Sequence, residues 1–459
     1  MEFDTIVAIA TAPGEGAIGI IRISGDEAQN ILNSIFRSKR GHKIKQFENR
    51  KLTYGHIVDE NEKVIDEVFA VLMQAPKTYT REDVVEIHCH GGIVPLQNIM
   101  KRILRLDARM AEIGEFTKRA FLNGRLDLAQ AESVMDLISA KTSKGFDVAF
   151  GQLEGALSRK VNNLRDTLVS TMAQLEVCID YPEEDIEEIT YKEVIKQLSG
   201  IKRGVDDLLS SSETGRIIRD GLSTVIVGKP NVGKSSLLNA LLREARAIVT
   251  DVPGTTRDVI EELINIKGVP LKLIDTAGIR ETEDVVEKIG VERSKTFFNQ
   301  ADLVVFVINA SEPLSVEDEN IIELIQDKKS IVVVNKIDLP PAFDVDELEK
   351  RLVDKIFVRT SMMNESGIED VENQIAEMVF GGEVIRKENA YVSNIRHIRA
   401  LEKASDSIES AIQAAENGMP YDFIEVDTKD TYEALGEISG ETIEDDMLTK
   451  IFSNFCLGK

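Results

Sequence analysis

The chain has 459 residues, enough for about three domains of ordinary size, so a core can form without disulfide or metal staples. Its 55 Lys and Arg against 80 Asp and Glu give a net charge of -25, which excludes indiscriminate binding to nucleic acid. The three cysteines lie far apart and predict neither a disulfide framework nor a zinc cluster, which fits a reducing cytoplasm. The sequence shows no basic leader and no long apolar run, so no targeting or membrane segment is predicted.

The first segment, up to about residue 105, is rich in predicted strands. β-Branched runs are separated here by turns rich in Gly, Pro and Asn, and two further stretches, 26–36 and 94–104, predict helices. The segment is therefore expected to be an α+β unit. Its predicted strands are Thr5–Ala10, Ile18–Ile23, Val68–Met73 and Val84–His90.

Helical patterns dominate the next segment and return at the end of the chain. Apolar residues at three- and four-residue spacing predict a pair of long helices between residues 126 and 180, followed by an acidic turn at 180–188 and a helix at 192–212. Three more helices are predicted, at 394–416, 429–438 and 442–455.

Between these helical stretches, residues 221–380 alternate apolar strands with helices, which is typical of a doubly wound parallel sheet. We therefore predict a multidomain α/β and α+β protein in which an α/β domain is inserted into a helical domain. The strands predicted for the inserted domain are Ser223–Val227, Leu271–Ile274, Leu303–Ile308, Ile331–Val334 and Ile356–Arg359.

A phosphate-binding motif follows the first of these strands. The run Gly228-Lys-Pro-Asn-Val-Gly233-Lys234-Ser235 matches G-x-x-x-x-G-K-[ST] between a strand and a helix. Glycines let backbone N–H groups surround the β-phosphate, Lys234 neutralises phosphate charge, and the Ser235 hydroxyl reaches Mg²⁺. The sequence therefore predicts a nucleoside triphosphate site.

Two later motifs indicate which nucleoside triphosphate binds at this site. Asp275-Thr-Ala-Gly278 ends another strand, where its Asp can meet the Mg²⁺ shell and its Gly amide the γ-phosphate. Asn335-Lys336-Ile337-Asp338 places a carboxylate that can accept two hydrogen bonds from guanine, which presents a ring N–H and an exocyclic amine, but not from adenine. An ATPase is therefore disfavoured.

These three motifs resemble those of translation-factor-type GTPases. With the segment Thr250-Asp-Val-Pro-Gly-Thr-Thr-Arg-Asp258, a folate-like amino-terminal region and the ending Phe455-Cys-Leu-Gly-Lys459, the chain resembles the MnmE (TrmE) family of tRNA-modifying GTPases, essentially end to end. In such proteins the loop at Ser361-Met362-Met363 usually reads Ser-Ala-Lys, and because its base contacts come largely from backbone, guanine preference is expected to persist.

The resemblance implies a metal-assisted GTPase. Mg²⁺ would be held by Ser235 and Thr256, and the family's catalytic Glu matches Glu287; the Gln of Ras-like enzymes is replaced here by Ile279. A K⁺ ion would act where other GTPases use an arginine finger, and its implied ligands are Asn231, Thr250, Val252 and Thr255. The implied GTP-binding residues are Asn231, Val232, Gly233, Lys234, Ser235, Ser236, Thr250, Asp251, Val252, Pro253, Gly254, Thr255, Thr256, Asp275, Thr276, Ala277, Gly278, Asn335, Lys336, Asp338 and Ser361.

The amino-terminal segment carries a misleading motif and an implied cofactor site. Gly14-Glu-Gly-Ala-Ile-Gly19 matches G-x-G-x-x-G, but a predicted strand follows it where dinucleotide binding needs a helix. In the strand Val84–His90 the His88-Cys89-His90 run is expected to be structural, since neighbouring side chains point oppositely. The family resemblance implies that a 5,10-methylene- or 5-formyl-tetrahydrofolate binds here, on Arg22, Glu86, Arg125 (often Lys in the family) and Lys459.

Cys456 is either a small packing residue or, by resemblance to the family's C-x-G-K ending, a nucleophile in the modification chemistry. The predicted domains are a folate-binding and dimerisation domain (1–121), the first part of a helical domain (122–215), the G domain (216–381) and the second helical part (382–459).

The resemblance implies a K⁺-activated GTPase homodimer. With an MnmG (GidA) family flavoprotein, in a heterotetramer or larger assembly, it would add a (carboxymethyl)aminomethyl group to C5 of the wobble uridine of tRNAs. A ribosome-assembly GTPase of the Era or Der type, or a free-standing folate aminomethyltransferase, are the alternatives. Because the chain is acidic, tRNA is expected to bind to local basic patches, such as Lys101, Arg102 and Arg105 or Lys118 and Arg119, and to the surface of the flavoprotein partner.

Overall fold

The computed structural model describes residues 4–12, 14–44, 46–180, 190–244, 262–274, 298–381, 390–443, 445–455 and 458. The chain divides into two compact units, one formed by residues 1–135 with 435–459 and the other by residues 136–434. The four-part domain scheme given above stays a prediction. Within the described ranges, no helix is both long and apolar enough to cross a membrane.

The first unit is built on a seven-stranded sheet in the order β3-β4-β5-β6-β2-β1-β7. Its strands run antiparallel to their neighbours, except that β7 is parallel to β1. The strands are β1 (Ile6–Ile9), β2 (Ile18–Ser24), β3 (Phe36–Ser38), β4 (Thr53–Val58), β5 (Val64–Met73), β6 (Val84–His90) and β7 (Arg109–Met110), and the helices are α1 (Ala28–Ile35), α2 (Ile93–Ile103) and α3 (Glu115–Leu122).

The side chains of strand β6 follow the alternating burial that its sequence predicts. Val85, Ile87 and Cys89 are buried against α1 and α2, while Glu86 and His88 lie on the opposite, partly exposed face. The alternation predicted for this strand is therefore confirmed. A strand, not a helix, follows the glycine-rich run at 14–19, as predicted.

Four elements of this unit were not predicted, namely β3, β4, β7 and α3. Helix α3 follows Gly114, whose φ of 71° suits glycine, and a Cβ there would lie 2.5 Å from the carbonyl oxygen of Phe452. Phe452 belongs to the last helix, which packs on this unit together with Leu128 and Phe455. The last helix is thus part of the core of the first unit. This contact joins segments that are far apart in the sequence, so no local sequence pattern predicts it.

The second unit contains most of the helices. The predicted pair of long helices between residues 126 and 180 is wrong, because there are three helices. Thr142 interrupts the run by capping the second helix through the backbone N–H of Gly145, and Gly155, with a φ of 82°, precedes the third. The helices outside residues 222–380 are α4 (Leu128–Ser139), α5 (Ser143–Leu153), α6 (Ala156–Asp180), α7 (Tyr191–Ser210), α8 (Ser212–Asp220), α13 (Ile395–Glu416), α14 (Tyr421–Ser439) and α15 (Asp445–Phe452). All of α15, residues 128–135 of α4 and residues 435–439 of α14 belong to the first unit.

A six-stranded sheet in the order β13-β12-β11-β8-β10-β9 forms the core of residues 222–380. Five strands are parallel, as predicted, but the edge strand β9 is antiparallel to β10 and joins it through a tight turn at Lys267 and Gly268. The elements are β8 (Leu222–Val227), α9 (Lys234–Glu244), β9 (Glu262–Ile266), β10 (Val269–Leu273), β11 (Leu303–Asn309), α10 (Val316–Leu324), β12 (Ser330–Asn335), α11 (Val345–Arg351), β13 (Ile356–Arg359) and α12 (Ile368–Phe380).

Candidate functional site

The phosphate loop joins the end of β8 to the start of α9, and its path depends on two glycines. Gly228 has a φ of 148°, and a Cβ there would lie 2.3 Å from the carbonyl oxygen of Val307. Gly233 has a φ of 111°, and a Cβ there would lie 2.2 Å from Nδ2 of Asn335. The loop can therefore lie this close to β11 and β12 only with glycine at both positions, and it opens onto the amino terminus of an eleven-residue helix, where anions bind.

Lys234 is held over this loop by backbone groups. Its Nζ donates hydrogen bonds to the carbonyl oxygens of Gly228 at 2.7 Å and Lys229 at 2.8 Å. Burial lowers the pKa of Lys234 from its ordinary value. A phosphate bound beside it would favour the charged ammonium and offset this effect of burial.

Asn335, buried at the end of β12, ties the phosphate loop to the base-binding side. Its Nδ2 donates to the carbonyl oxygen of Val232 at 2.8 Å, and its Oδ1 accepts from the backbone N–H of Met362 at 3.3 Å and from Oγ1 of Thr360 at 3.4 Å. The structure thus brings together residues from two of the predicted motifs. It also uses the backbone, not the side chain, of Met362 at the point where the loop departs from its usual sequence.

The predicted guanine-binding carboxylate is held by its neighbour in that loop. Oγ of Ser361 donates to Oδ1 of Asp338 at 2.5 Å, and Ser361 itself exchanges backbone hydrogen bonds with Ser366. Among the described residues, Ser361 is the one side chain found to donate to Asp338, so the carboxylate retains capacity for donors on a base.

One contact of the phosphate loop was missed by the sequence analysis. Nζ of Lys229 lies 2.9 Å from Oε2 of Glu312 and 3.5 Å from Oδ2 of Asp318, which caps α10 together with Ser315. No spacing rule connects these positions, because β11 and the phosphate loop meet only in the folded sheet.

Only some of the other predicted site residues lie within the described part of the chain. Ser235 and Ser236 are in the first turn of α9, as the motif requires, and Asn231 is exposed in the loop with a φ of 63°. The residues outside the described ranges are Thr250, Asp251, Val252, Pro253, Gly254, Thr255, Thr256, Asp275, Thr276, Ala277, Gly278, Glu287, Cys456 and Lys459.

Two of the predicted folate residues, Arg22 and Glu86, lie side by side on one face of the first unit's sheet. Arg22 and Glu86 are direct cross-strand neighbours on β2 and β6, and Nε and Nη2 of Arg22 lie 2.9 Å and 2.8 Å from Oε1 of Glu86. Nη1 of Arg22 also donates to the carbonyl oxygen of Gly458 at 3.3 Å. The backbone of Gly458 therefore contacts this pair.

Tyr79 connects this pair to the third predicted residue. The guanidinium carbon of Arg125 lies 4.7 Å from the centre of the Tyr79 ring and that of Arg22 lies 5.8 Å from it. Burial raises the pKa of the Tyr79 hydroxyl, which exchanges a hydrogen bond with Thr117 at 2.9 Å. Tyr79 was missed because a lone tyrosine in a turn carries no distinguishing pattern.

Most cations of the basic patches predicted to bind tRNA form ion pairs within the protein. Arg119 is 1% exposed and pairs with Asp4, Glu82 and Glu115, so its prediction as a surface contact is wrong. Arg105 is exposed but pairs with Glu60. Of the cluster at residues 101–105, Lys101 is the exposed cation for which no ion pair is found within the described ranges.

Comparison with known proteins decides the family. The family model for the amino terminus of the GTP-binding protein TrmE matches residues 5–125, and the MnmE helical domain model matches residues 128–456. The chain is 56% identical over 457 residues to the tRNA modification GTPase MnmE of Alkaliphilus oremlandii, covering 99% of each protein. The chain belongs to the MnmE family.

Other relatives agree. The tRNA modification GTPases MnmE of Clostridioides difficile and Geobacillus kaustophilus are 52% and 51% identical, over 99% and 100% of both chains in each comparison. The predicted family, the predicted mixture of α/β, α+β and helical parts, and the predicted GTP hydrolase are therefore confirmed. Membership of the MnmE family also favours a tRNA modification GTPase over a ribosome-assembly GTPase of the Era or Der type.

Proposed function

We propose that this MnmE family member acts on tRNA with an MnmG-type flavoprotein. Together they would add a (carboxymethyl)aminomethyl group to C5 of the wobble uridine, taking one carbon from a tetrahydrofolate derivative. The observation that carries the proposal is that Arg22 pairs with Glu86 and lies with Arg125 beside the Tyr79 ring, in a chain that also has a phosphate loop. GTP hydrolysis alone has no use for a one-carbon site.

The residues of the phosphate loop fit a GTP–Mg²⁺ complex. Lys234 would leave its two carbonyl partners to meet the β- and γ-phosphates, and Asp338, held by Ser361, would accept the N–H groups of guanine. Ser235 and Thr256 would supply hydroxyls to Mg²⁺. Bound Mg²⁺ and K⁺ would offset the charge that develops between the β- and γ-phosphates.

Of the four proposed K⁺ ligands, Asn231 lies within the described residues, where it is exposed in the phosphate loop. We infer that Thr250, Val252 and Thr255 complete the site and that Glu287 positions the attacking water, since Ile279 cannot. Turnover is expected to rise when two G domains of a homodimer approach each other. Equal GTP turnover in K⁺ and Na⁺, or turnover per chain that does not change with protein concentration, would contradict this part of the proposal.

The residues of the first unit fit a pterin. A carboxylate such as Glu86 can accept from both the amine and the ring N–H of a pterin, while Arg22 holds that carboxylate through two nitrogens. Arg125 and Lys459 would meet the charged part of the cofactor. We further propose that Cys456 lies near the modification chemistry, and that the protein works in the cytoplasm.

The decisive experiment is reconstitution of the reaction. The chain, an MnmG-type flavoprotein, GTP, Mg²⁺, K⁺, methylene-labelled 5,10-methylene-tetrahydrofolate and a nitrogen donor, either glycine or ammonium, are incubated with unmodified tRNA, and label is measured at the wobble uridine. Label that requires all components supports the proposal, and its absence from the wobble uridine refutes it. A Cys456→Ser variant that incorporates label at the normal rate would return Cys456 to a packing role.

A further inference from the structure

A cleft beside Tyr79 concentrates positive charge in an acidic protein. It has a volume of about 650 Å³, and Arg50, Lys77, Arg81 and Arg125 lie around it. All four are exposed, and among the described residues that line this cleft there is no Asp or Glu, although the chain carries a net charge of -25. A local excess of cations against such a background marks a binding site for a polyanion.

Three of these four cations are oriented by backbone groups. Arg50 donates to the carbonyl oxygen of Lys77, and Nη1 of Arg81 donates to the carbonyl oxygen of Asn123 at 2.8 Å. Arg125 in turn donates to the carbonyl oxygen of Tyr79 at 3.2 Å. Neutral partners of this kind position the guanidinium groups without cancelling their charge, so the cleft keeps its positive potential.

The cleft continues from the proposed pterin site. Val71, which lines it, is the β5 partner of Glu86 on β6, and Tyr79 lies beside both Arg22 and Arg125. A ligand anchored at Glu86 would therefore extend past Tyr79 toward the remaining cations. A volume of this size suits a small molecule, which favours a cofactor tail over a nucleic-acid strand.

We propose that this cleft binds the γ-linked glutamate tail of a polyglutamylated tetrahydrofolate. The inference rests on the proposed function. Each added glutamate brings one carboxylate, and guanidinium groups match carboxylates in geometry and charge. Lys77, Arg81 and Arg50 are the tail-binding cations, and Arg125 marks the start of the tail.

The test compares 5-formyl-tetrahydrofolate carrying one glutamate with the same compound carrying three, by titration calorimetry on the full chain. An exposed ion pair is worth a factor of about two to five in a binding constant, so two added carboxylates should tighten binding about tenfold. The ratio of the two affinities should shrink as salt is raised from 0.05 M to 0.5 M, because exposed charges are screened.

A matched pair of charge reversals locates the effect. Lys77→Glu should reduce the tenfold ratio to about twofold or less, whereas Lys63→Glu, an equal change of charge at an exposed position of the same unit outside the cleft, should preserve it. Circular dichroism of both variants checks that they fold.

The outcomes separate the tail inference from the function beneath it. Binding of the one-glutamate compound with no preference for three glutamates overturns the tail inference and leaves the proposed function standing. Failure of both compounds to bind refutes the folate function itself. A tenfold preference that survives Lys77→Glu, together with weaker tRNA binding by that variant, would assign the cleft to RNA phosphates and overturn the inference.

Discussion

Asn335 offers a sharp test of how the two halves of the nucleotide site are joined. Its side chain makes three hydrogen bonds, to Val232, Met362 and Thr360, and it is 2% exposed. Asn335→Ala removes all three at about 1 kcal/mol each, or about 3 kcal/mol together. If that free energy holds the loop in its binding-competent form, affinity for GTP should fall by up to about a hundredfold.

Asn309→Ala is the matched control. Asn309 ends the neighbouring strand, is 3% exposed, and also makes three hydrogen bonds, at 2.7, 2.8 and 3.0 Å, but its partners are Ser311 and Glu312 of its own turn. We expect calorimetry to show a loss of GTP affinity below about fivefold for Asn309→Ala, with similar losses of unfolding free energy in both variants. Equal losses of affinity in the two variants would refute the reasoning.

Three further predictions concern charge. Asp338→Asn should lower the affinity for GTP by at least about a hundredfold, because two hydrogen bonds to a carboxylate are lost. The same variant should bind xanthosine triphosphate more tightly than GTP, because the C2 carbonyl of xanthine accepts a hydrogen bond from the new amide. Unchanged nucleotide selectivity in a displacement assay would contradict this prediction. Glu86→Gln should weaken 5-formyl-tetrahydrofolate about tenfold or more in calorimetry, and undiminished binding would remove Glu86 from the site. Burial of Glu115 raises its pKa, but hydrogen bonds from Arg109, the Glu112 N–H and Arg119 outweigh it and lower that pKa to about 2. Because the folded pKa lies below the unfolded one, the stabilisation is full above about pH 4.5 and is lost as pH falls toward 2. The protection factors of the α3 amides, which are exchange rates corrected for the pH dependence of intrinsic exchange, should fall over this range in the wild type and less steeply in Glu115→Gln. Parallel profiles of the two proteins would contradict the assignment.

The parts of the fold that were predicted depend on local geometry. The burial of Val85, Ile87 and Cys89 follows from the two-residue period of a strand, and the position of Lys234 follows from the spacing of the phosphate-loop motif. Both patterns are complete within about eight residues. A single sequence is sufficient to read them, because no distant partner is required.

The parts that were missed depend on distant partners. The division of residues 126–180 into three helices rests on a cap by Thr142 and on Gly155, which are weak signals within a strongly helical composition. Arg119 was predicted to be exposed because most arginines are, yet it lies among carboxylates contributed by Asp4 and Glu82, far away in the sequence. Burial of a charge can be predicted only when its partners are known.

This distinction changes how the net charge of -25 bears on function. Net charge sets the long-range field, but what an anion meets at contact depends on which cations are already paired with carboxylates. Arg119 and Arg105 are so paired, whereas Arg50 and Arg81 bond neutral carbonyl groups at one cleft. An acidic chain can therefore repel polyanions in general and still bind one that is delivered by its pterin end, because the uncancelled cations lie beside the site where that end would dock.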